Sequence, residues 1–484
     1  MERISECIHE LNSNELRKVA NMAAEYYCKN GIEKTKVFFD IHYSAHYTDE
    51  QLENRMRDNN WWRKQLIAEK YRKHEMLQYK KGLVGDKHEY SYEYASPLTV
   101  KRRNIQREKG QEYLHGTYIT DGIRSFKLSD VARSEKDKFF DLLNKIDGID
   151  VLAKERGMVS FFITLTLEEE WHPNPKYKKK GHSWNGKSPK QAQDELAFRW
   201  KKIRESLKNS GLLAKEYPNF RVVEPHKDGC PHWHVLVWIK KENLEKLKRP
   251  VKKWFPIERK FKNNKGEWET FYQADIREIK KKKGDKNSAK PSSYVQKYLW
   301  KNIGNEDNLE IDKNNKIELE NNTVERVDAW RGVWRLRAYQ IGGIPRNARG
   351  VWSKLRKLKK SPNDDFRKLW KIAKKGCFAS FLKEMELMNI NAVKNEKENK
   401  YGEVVNNYIG IQTKDSEIIT KTGEWKLTRE APLTYKNFEI MHTVNSSIPR
   451  AADSRPLYIP ASHPELEVIK KMCTDNNIRY SIRE

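Results

Sequence analysis

A short turn between two β-forming runs constrains the fold of this chain more than any other feature. The run "NFRVVEPH" ends at His226, the segment "KDGCP" supplies a glycine and a proline, and "HWHVLVWI" follows directly. Branched and aromatic residues are typical of strands, and a few turn residues between two such runs are typical of a hairpin. We therefore predict an antiparallel hairpin over residues 219–239.

The predicted hairpin places candidate metal ligands on one face. Residues two apart in a strand share a face, so His232 and His234 project together, with Glu224 roughly opposite them and His226 nearer the turn. Two imidazoles and a carboxylate can hold a divalent cation; the set suits Mn²⁺, Mg²⁺ less firmly, and Zn²⁺ as well. From the residues, the histidines are either ligands or ordinary strand residues, and either Glu224 or His226 can complete the site.

A predicted helix downstream carries a second group of reactive side chains. In "SSYVQKYLWKN", Tyr294 and Tyr298 are four residues apart, and Lys297 and Lys301 repeat that spacing. Residues at this spacing are neighbours on one helix face. Two such phenols are commonly core residues, but a phenolate nucleophile needs nearby positive charge, because tyrosine has a pKa of about 10. The lysines can supply that charge or neutralise a phosphate under attack.

The segments around these two motifs indicate a central α+β domain. The run "VSFFITLTL" from Val159 has strand length, residues 190–211 have the pattern of an amphipathic helix, and "FYQADIREI" is a further strand. The segment "VERVDAWRGVWRLRAYQIGG" predicts a helix that ends at Gly342–Gly343. We predict a small antiparallel sheet flanked by helices over residues 151–358.

The length of 484 residues predicts further domains on both sides of the central one. Helical segments that begin near Ser13, Trp61 and Thr99 predict a mainly helical, basic region over residues 1–150. Residues 359–484 combine short helical segments, β-like stretches and a final helix with a strand, and so predict a small C-terminal α/β region.

An excess of basic residues favours a polyanionic partner. Lys and Arg number 96 against 68 acidic residues, a formal charge of +28, which predicts salt-dependent binding to nucleic acid. The alternative is a solvated basic surface. Basic groups can grip phosphates and tryptophans can stack on unpaired bases, although core packing is the other role open to a tryptophan. The candidate DNA contacts are Trp61, Trp62, Arg63, Lys64, Arg102 and Arg103.

Several function classes are not supported by the sequence. We see no apolar run of about 20 residues that would span a bilayer and no secretory signal, so we expect no membrane partner and a cytoplasmic location. The five cysteines are scattered without a CxxC pair, so neither a disulfide framework nor a structural zinc site is indicated. No GxxxxGK[ST] segment occurs, so we expect no nucleotide cofactor and no built-in helicase.

The ordered series of motifs resembles the HUH endonucleases that initiate rolling-circle DNA replication. The match is closest to their two-tyrosine group, and within it to the replication gene A proteins of tailed phages and prophages. The similarity extends over roughly residues 60–360, in the segments "WWRKQLIAEKYRKHE", "YASPLTVKRRNIQRE", "FFITLTL", "WHPNPKY", "WNGKSPKQAQ", "RVVEPHKDGCPHWHVLVW", "YVQKYLWKNI" and "RVDAWRGVWRLRAYQIGG".

This resemblance implies roles for the candidate residues. His232 and His234 would be metal ligands with Glu224 as the third, Tyr294 and Tyr298 the nucleophiles, and the assisting lysine either Lys297 or Lys301. It also implies a ferredoxin-like or RRM-like palm, with the metal-binding hairpin central in its sheet. A Lys- and Asn-rich insertion over residues 258–290 departs from the family pattern and leaves the neighbouring sheet geometry open.

The implied function is rolling-circle replication initiation. The enzyme would nick and rejoin single-stranded DNA at an origin through a 5′-phosphotyrosine intermediate and free a 3′-OH primer, with Mn²⁺ or Mg²⁺ as cofactor. It would act in the bacterial host cell of a phage or prophage, with a separate host helicase and polymerase. The alternatives are a two-tyrosine HUH transposase or relaxase acting on a transposon end or transfer origin, and a non-catalytic DNA-binding protein with structural histidines.

Overall fold

The computed structural model describes most of the chain. The described ranges are 8–39, 47–85, 90–121, 124–175, 183–262, 268–280, 291–303, 321–358, 362–420, 425–429, 457–460 and 480–483. The chain divides into two compact units, one of Met1–Arg107 with Ser134–Thr422 and one of Glu108–Arg133 with Gly423–Glu484. These units divide the chain differently from the three regions expected from the sequence, so those regional boundaries stay predictions.

Helices and several antiparallel sheets confirm the predicted α+β class. The helices in the described ranges are α1 (Ser13–Phe39), α2 (Asp49–Met56), α3 (Asn59–Lys80), α4 (Pro97–His115), α5 (Leu128–Val131), α6 (Glu135–Glu155), α7 (Pro189–Asn209), α8 (Leu244–Trp254), α9 (Pro291–Ile303), α10 (Asn321–Trp334), α11 (Ala348–Lys357), α12 (Asp364–Lys375) and α13 (Phe378–Met388). None of these helices is both long and apolar enough to cross a membrane.

The strands include the predicted hairpin. The strands in the described ranges are β1 (Tyr118–Thr120), β2 (Ser125–Lys127), β3 (Val159–Leu165), β4 (Asn219–Pro225), β5 (Pro231–Ile239), β6 (Glu258–Lys262), β7 (Trp268–Tyr272), β8 (Ala274–Glu278), β9 (Tyr339–Gly342), β10 (Asn391–Glu398), β11 (Val404–Gln412), β12 (Glu417–Ile419), β13 (Lys426–Thr428), β14 (Leu457–Pro460) and β15 (Tyr480–Arg483).

The hairpin β4–β5 forms the centre of a five-stranded sheet in the first unit. The strand order is β8-β3-β5-β4-β9, and every neighbouring pair is antiparallel. Helices cover both faces, which explains why β5 is buried along almost its whole length. On one face Trp233 packs with residues of α7, and on the other Trp238 packs with residues of α6. His232 and His234 share the second face, because side chains alternate along a strand.

The turn of the hairpin requires a glycine at position 229. Gly229 has φ of +80°, a conformation that other residues rarely adopt. A Cβ added there would meet the hydroxyl of Tyr79 at 2.3 Å. The turn is closed by the His226 amide, which donates to the Cys230 carbonyl at 2.8 Å. The turn therefore holds β4 and β5 in a single register.

The structure corrects the helix predicted to end at Gly342–Gly343. Helix α10 ends at Trp334, and Arg335 follows with φ of +51°, in the left-handed region that interrupts a helix. The chain then continues as β9, which pairs with β4 and places Ile341 opposite Phe220. The open edge of β4 supplies backbone partners for this segment, so the glycines end a strand instead of a helix.

The inserted segment before the tyrosines does not displace the sheet. The predicted strand "FYQADIREI" is split at Gln273, which is fully buried, and its second half forms β8 on the edge of β3. Its first half belongs to β7, which pairs with β6 as a separate hairpin. Within the insertion, residues 263–267 and 281–290 lie outside the described residues.

The described residues of the second compact unit form two small sheets. In one, β1 pairs with both β2 and β13, and in the other β14 pairs in parallel with β15. The predicted final helix lies outside the described residues. The β-like stretches predicted within residues 359–484 include β11, β12 and β13, of which β11 and β12 belong to the first unit.

Candidate active site

Three predicted ligands meet on one face of the central sheet. Glu224 lies directly opposite His232 across the hairpin, and His234 follows on the same face. The His234 Nε2 atom is 3.1 Å from the Glu224 carboxylate and 3.0 Å from the His232 Nε2 atom, and the distance from His232 to Glu224 is 3.6 Å. The strand register therefore brings the donor atoms of all three side chains together, within 4.8 Å of one another.

The spacing of these donor atoms fits a divalent cation. Ligand atoms bound about 2.1 Å from a cation at angles of roughly 90–110° lie about 3.0–3.4 Å apart. Two of the observed separations, 3.0 and 3.1 Å, lie in this range, and the third, 3.6 Å, lies just above it. Thr164, on the neighbouring strand β3, has its hydroxyl 3.2 Å from the His234 Nδ1 atom. That contact orients the ring so that Nε2 faces the carboxylate. The three residues can therefore hold Mn²⁺, Mg²⁺ or Zn²⁺.

His226 lies beside this cluster but is not one of its three members. It follows the last residue of β4 and packs against the rings of His232 and His172, with centroids 4.2 and 4.8 Å away. Its Nε2 atom is enclosed and makes no hydrogen bond to any described residue. Burial, together with the nearby His172, lowers the pKa of His226 to about 3, so the ring is neutral at pH 7. Of the two candidates for the third ligand, the structure groups Glu224 with the histidine pair.

His172, which packs against His226, forms a buried ion pair with Asp228 that the sequence pattern does not predict. The His172 Nδ1 atom is 3.1 Å from the Asp228 carboxylate. Burial opposes the charged imidazole, but the Asp228 carboxylate beside it raises the pKa of His172 well above its usual value. Burial also raises the pKa of the Cys230 thiol, which is neutral at pH 7, so Asp228 is the anionic partner. Residues 56 positions apart form the pair, and no local pattern reveals it.

Helix α9 brings both predicted tyrosines to the same face of the sheet. Its buried residues Val295 and Leu299 pack in the core with α6, which leaves the tyrosines on the sheet side. The Tyr298 ring stacks on His234, with centroids 3.9 Å apart and planes 25° apart. Tyr294, one turn earlier, is 40 % exposed and lies 6.2 Å from the Phe162 ring. Lys297 and Lys301 lie on α9, but their side chains are outside the described structure.

The structure corrects two of the candidate DNA contacts. Trp61 and Trp62 are 6 % and 0 % exposed and belong to a core formed with α1 and α2. The Trp62 indole also donates to the Met56 carbonyl at 2.7 Å. A ring enclosed in this way offers no face to an unpaired base. The neighbouring Arg63 and Lys64 are exposed.

The remaining two candidates make contacts within the protein. The Arg102 guanidinium lies over the Tyr71 ring, 3.8 Å from its centroid. The pKa of Arg102 is lowered to about 10, mainly because the guanidinium is buried. Arg103 binds the Asp328 carboxylate through two hydrogen bonds of 2.6 and 3.2 Å. Arg103 therefore joins α4 to α10, and a phosphate would have to compete with that carboxylate.

The order of these features along the chain matches a known family. The model of the bacteriophage replication gene A protein (GPA) matches residues 1–306, which include the β4–β5 hairpin, Tyr294 and Tyr298. The chain belongs to the bacteriophage replication gene A protein family. The predicted resemblance to gene A proteins is thereby confirmed.

The curated proteins similar to this gene A family member are named as replication proteins or replication endonucleases. The chain is 26 % identical over 418 residues to the replication gene A protein of Escherichia phage P2, covering 78 % of this chain and 52 % of that one. It is 26 % identical over 413 residues to the probable replication protein P12 of Pseudoalteromonas phage PM2, covering 79 % and 61 %. It is 25 % identical over 373 residues to a probable replication endonuclease from prophage-like region 1 of Salmonella typhi, covering 70 % and 44 %.

This gene A family member thus spans about half the length of the curated relatives that it matches. No solved structure matches the chain. The roles of the histidines, Glu224 and the tyrosines therefore depend on the geometry described above and stay predictions.

Proposed function

We propose that this protein initiates rolling-circle DNA replication by nicking and rejoining single-stranded DNA. The proposal depends on one observation above all, the stacking of Tyr298 on His234 at 3.9 Å. That contact places a phenol beside a three-residue set suited to a cation, in a chain with a net charge of +28. The names of the relatives, which include replication endonucleases, support the same function.

Glu224, His232 and His234 would hold Mn²⁺ or Mg²⁺ at this site. When bound, such an ion supplies positive charge that polarises a non-bridging oxygen of the scissile phosphate. Thr164 keeps the Nε2 atom of His234 directed at the site, and Glu224 contributes the negative charge that offsets the cation. The surrounding helices shield the ligands, since Glu224 and His234 are 5 % and 6 % exposed.

The tyrosines would carry the covalent step. The phenolate of one tyrosine attacks the phosphorus, its proton having passed to solvent, and the bond from phosphorus to the 3′ oxygen breaks. The products are a 5′-phosphotyrosine and a 3′-OH, which takes up a proton and primes synthesis. Because one phosphodiester replaces another, rejoining needs no ATP. The second tyrosine can cut the regenerated origin while the first still holds the earlier 5′ end.

We take the sheet β8-β3-β5-β4-β9 as the palm of an HUH endonuclease, with the metal hairpin at its centre. The substrate would be single-stranded DNA at a replication origin in the host cell of a phage or prophage. A separate host helicase would open the duplex and a host polymerase would extend the primer.

A covalent-adduct experiment tests the proposal. Labelled single-stranded oligonucleotides tiled across the replicon that encodes the chain are incubated with the protein and Mn²⁺, and the products are separated in SDS. We expect an SDS-resistant protein–DNA adduct that disappears with EDTA and in the Tyr294→Phe/Tyr298→Phe double variant. An adduct that persists in the double variant would exclude the tyrosine mechanism, and no adduct with any oligonucleotide would favour a non-catalytic DNA-binding role.

A further inference from the structure

A cavity of about 390 Å³ lies at the turn of the β4–β5 hairpin. Its walls include the segment after β3 (residues 166–169), the turn residues 226–228, and three side chains from the β6–β7 region, Arg259, Phe271 and Gln273. Pockets that hold small organic ligands commonly measure roughly 300–1,000 Å³. The cavity is therefore large enough for a flat heterocycle.

The cavity is one side chain away from the candidate metal ligands. His226 lines the cavity, and its ring also packs on the ring of His232, with centroids 4.2 Å apart. A DNA strand whose phosphate lies at His232 and His234 would therefore have a neighbouring nucleotide within reach of the cavity.

The walls of the cavity favour a neutral, flat ligand. Two carboxylates of the wall are bound by arginines: Glu168 by Arg199 at 2.7 and 2.9 Å, and Glu169 by Arg259 at 2.7 Å. A third, Asp228, is bound by His172, as described above. With their charges compensated inside the protein, these groups form a rigid frame that would neither repel DNA nor attract a free ion strongly.

Two features of the wall are suited to a base. The Phe271 ring is 40 % exposed and offers a face for stacking. His226 lines the cavity, and its Nε2 atom has no hydrogen-bond partner among the described residues, so the polar edge of a heterocycle would supply the missing partner once the ring opens toward the cavity. An apolar face together with a hydrogen-bonding edge is the chemistry of a nucleobase.

We propose that this cavity binds an unpaired nucleobase of the same DNA strand, adjacent to the scissile phosphate, with Phe271 as the stacking residue. The inference rests on the proposed function and extends it, because it assigns the contact that sets the register of the cut. Phosphate contacts hold a strand without reading its sequence, whereas a captured base selects which phosphodiester lies beside Tyr298.

Binding measurements without metal test this assignment separately from cleavage. Fluorescein-labelled dT20, dA20 and dC20 are compared, by anisotropy in EDTA, with a 20-mer of abasic tetrahydrofuran nucleotides. We expect Phe271→Ala to weaken binding of at least one base-bearing 20-mer by about five-fold or more and to leave the abasic 20-mer unchanged. Tyr272→Ala is the matched control, because Tyr272 is 45 % exposed on the other side of the same strand and does not line the cavity.

Two further variants separate stacking from a loss of structure. Phe271→Trp should retain the base-dependent affinity and Phe271→Leu should not, and all variants should unfold at the same temperature. Unchanged affinity of Phe271→Ala for all three base-bearing 20-mers, or an equal loss for the abasic 20-mer, overturns the assignment. Because no step of this assay requires a covalent adduct, failure of the base site and failure of the tyrosine mechanism are distinguishable.

Discussion

The hydroxyl of Thr164 determines which nitrogen of His234 faces Glu224. A histidine that binds a metal through Nε2 carries its proton on Nδ1, and that proton needs an acceptor. The Thr164 hydroxyl, 3.2 Å from Nδ1, is such an acceptor. Thr164 therefore acts on a bound cation through His234 without touching the cation itself.

Thr164→Val should weaken the binding of Mn²⁺ by about 10–100-fold, the usual effect of removing a group that orients a ligand. The fold should survive, because valine matches threonine in shape. Isothermal calorimetry with Mn²⁺ measures the change, and Thr164→Ser, which retains the hydroxyl, should bind as the wild type does. Equal affinities for the valine and serine variants would contradict the role of the hydroxyl.

The alternation of side chains along a strand was enough to predict which candidate ligands share one face of the sheet. The period of two placed His232 and His234 on one face, and the predicted hairpin brought Glu224 to them. The choice between Glu224 and His226 depends on the register of the turn, where Gly229 lies against the distant Tyr79. Burial of Trp62 likewise depended on helices from elsewhere in the chain, and no local pattern distinguishes a core tryptophan from a stacking one.

At the scale of elements, helix α9 positions the tyrosines through the buried residues that follow each of them, Val295 and Leu299. Leu299 is fully buried and packs in the same core as residues of α6. Leu299→Ala should lower the free energy of unfolding by about 2–5 kcal/mol, because it leaves a cavity. The adduct yield should also fall, since Tyr298 is the adjacent residue, whereas Mn²⁺ binding should persist, since the candidate ligands are on strands.

Leu247→Ala in α8 is the matched control for this prediction. Leu247 is equally buried but packs in the core on the other face of the sheet. Leu247→Ala should lower the free energy of unfolding, measured in urea, by a similar amount. The adduct yield should be unchanged under conditions in which the protein is folded. If both variants lose adduct formation in proportion to stability, α9 has no positioning role.

The contact between α4 and α10 makes the fold sensitive to acid. Burial opposes the charged form of Asp328, but Arg103, Arg331 and Arg107 lower the pKa of this carboxyl below its usual value. A carboxyl with a lowered folded-state pKa stabilises the fold above its unfolded-state pKa of about 3.9, and this contribution is lost as the pH falls through the folded-state pKa.

Asp328→Asn should therefore be less stable than the wild type at pH 6, and the difference should shrink as the pH is lowered below about 4. Urea unfolding at a series of pH values measures the difference directly, and the other carboxylates cancel because both proteins share them. A difference that stays constant between pH 6 and pH 3 would show that the Asp328 charge contributes nothing.

Elements with a strong local pattern were predictable, and elements defined by a distant partner were not. The hairpin, α7 and α9 follow from residue periodicity, and their observed bounds lie within a few residues of the prediction. The sequence predicts a helix where strand β9 lies, because its four residues become a strand only by pairing with the edge of β4. The separation of β7 from β8 likewise depends on distant partners, because the buried Gln273 bonds through its backbone to both Ile257 and Thr166.

For the molecule as a whole, the charge of +28 predicts how DNA binding responds to salt. Each phosphate that the protein neutralises releases counterions, so the logarithm of the affinity should fall linearly with the logarithm of salt concentration, by about 0.7 per phosphate on single strands. Anisotropy with labelled dT20 over a series of NaCl concentrations gives this slope. A slope near zero would mean that the basic residues form a solvated surface without a role in binding.

The exposed pair Arg63 and Lys64 provides a sharper test of where the strand lies. If each neutralises one phosphate, the Arg63→Ala/Lys64→Ala variant should reduce the salt slope by about 1.4, twice the contribution of one phosphate. The control is Glu135→Ala/Lys138→Ala, which removes an exposed ion pair of 2.8 Å and leaves the net charge unchanged. Its slope should equal that of the wild type. If the Arg63/Lys64 variant also keeps the wild-type slope, the strand does not cross the exposed side of α3, and the phosphate contacts belong to other basic elements of the chain.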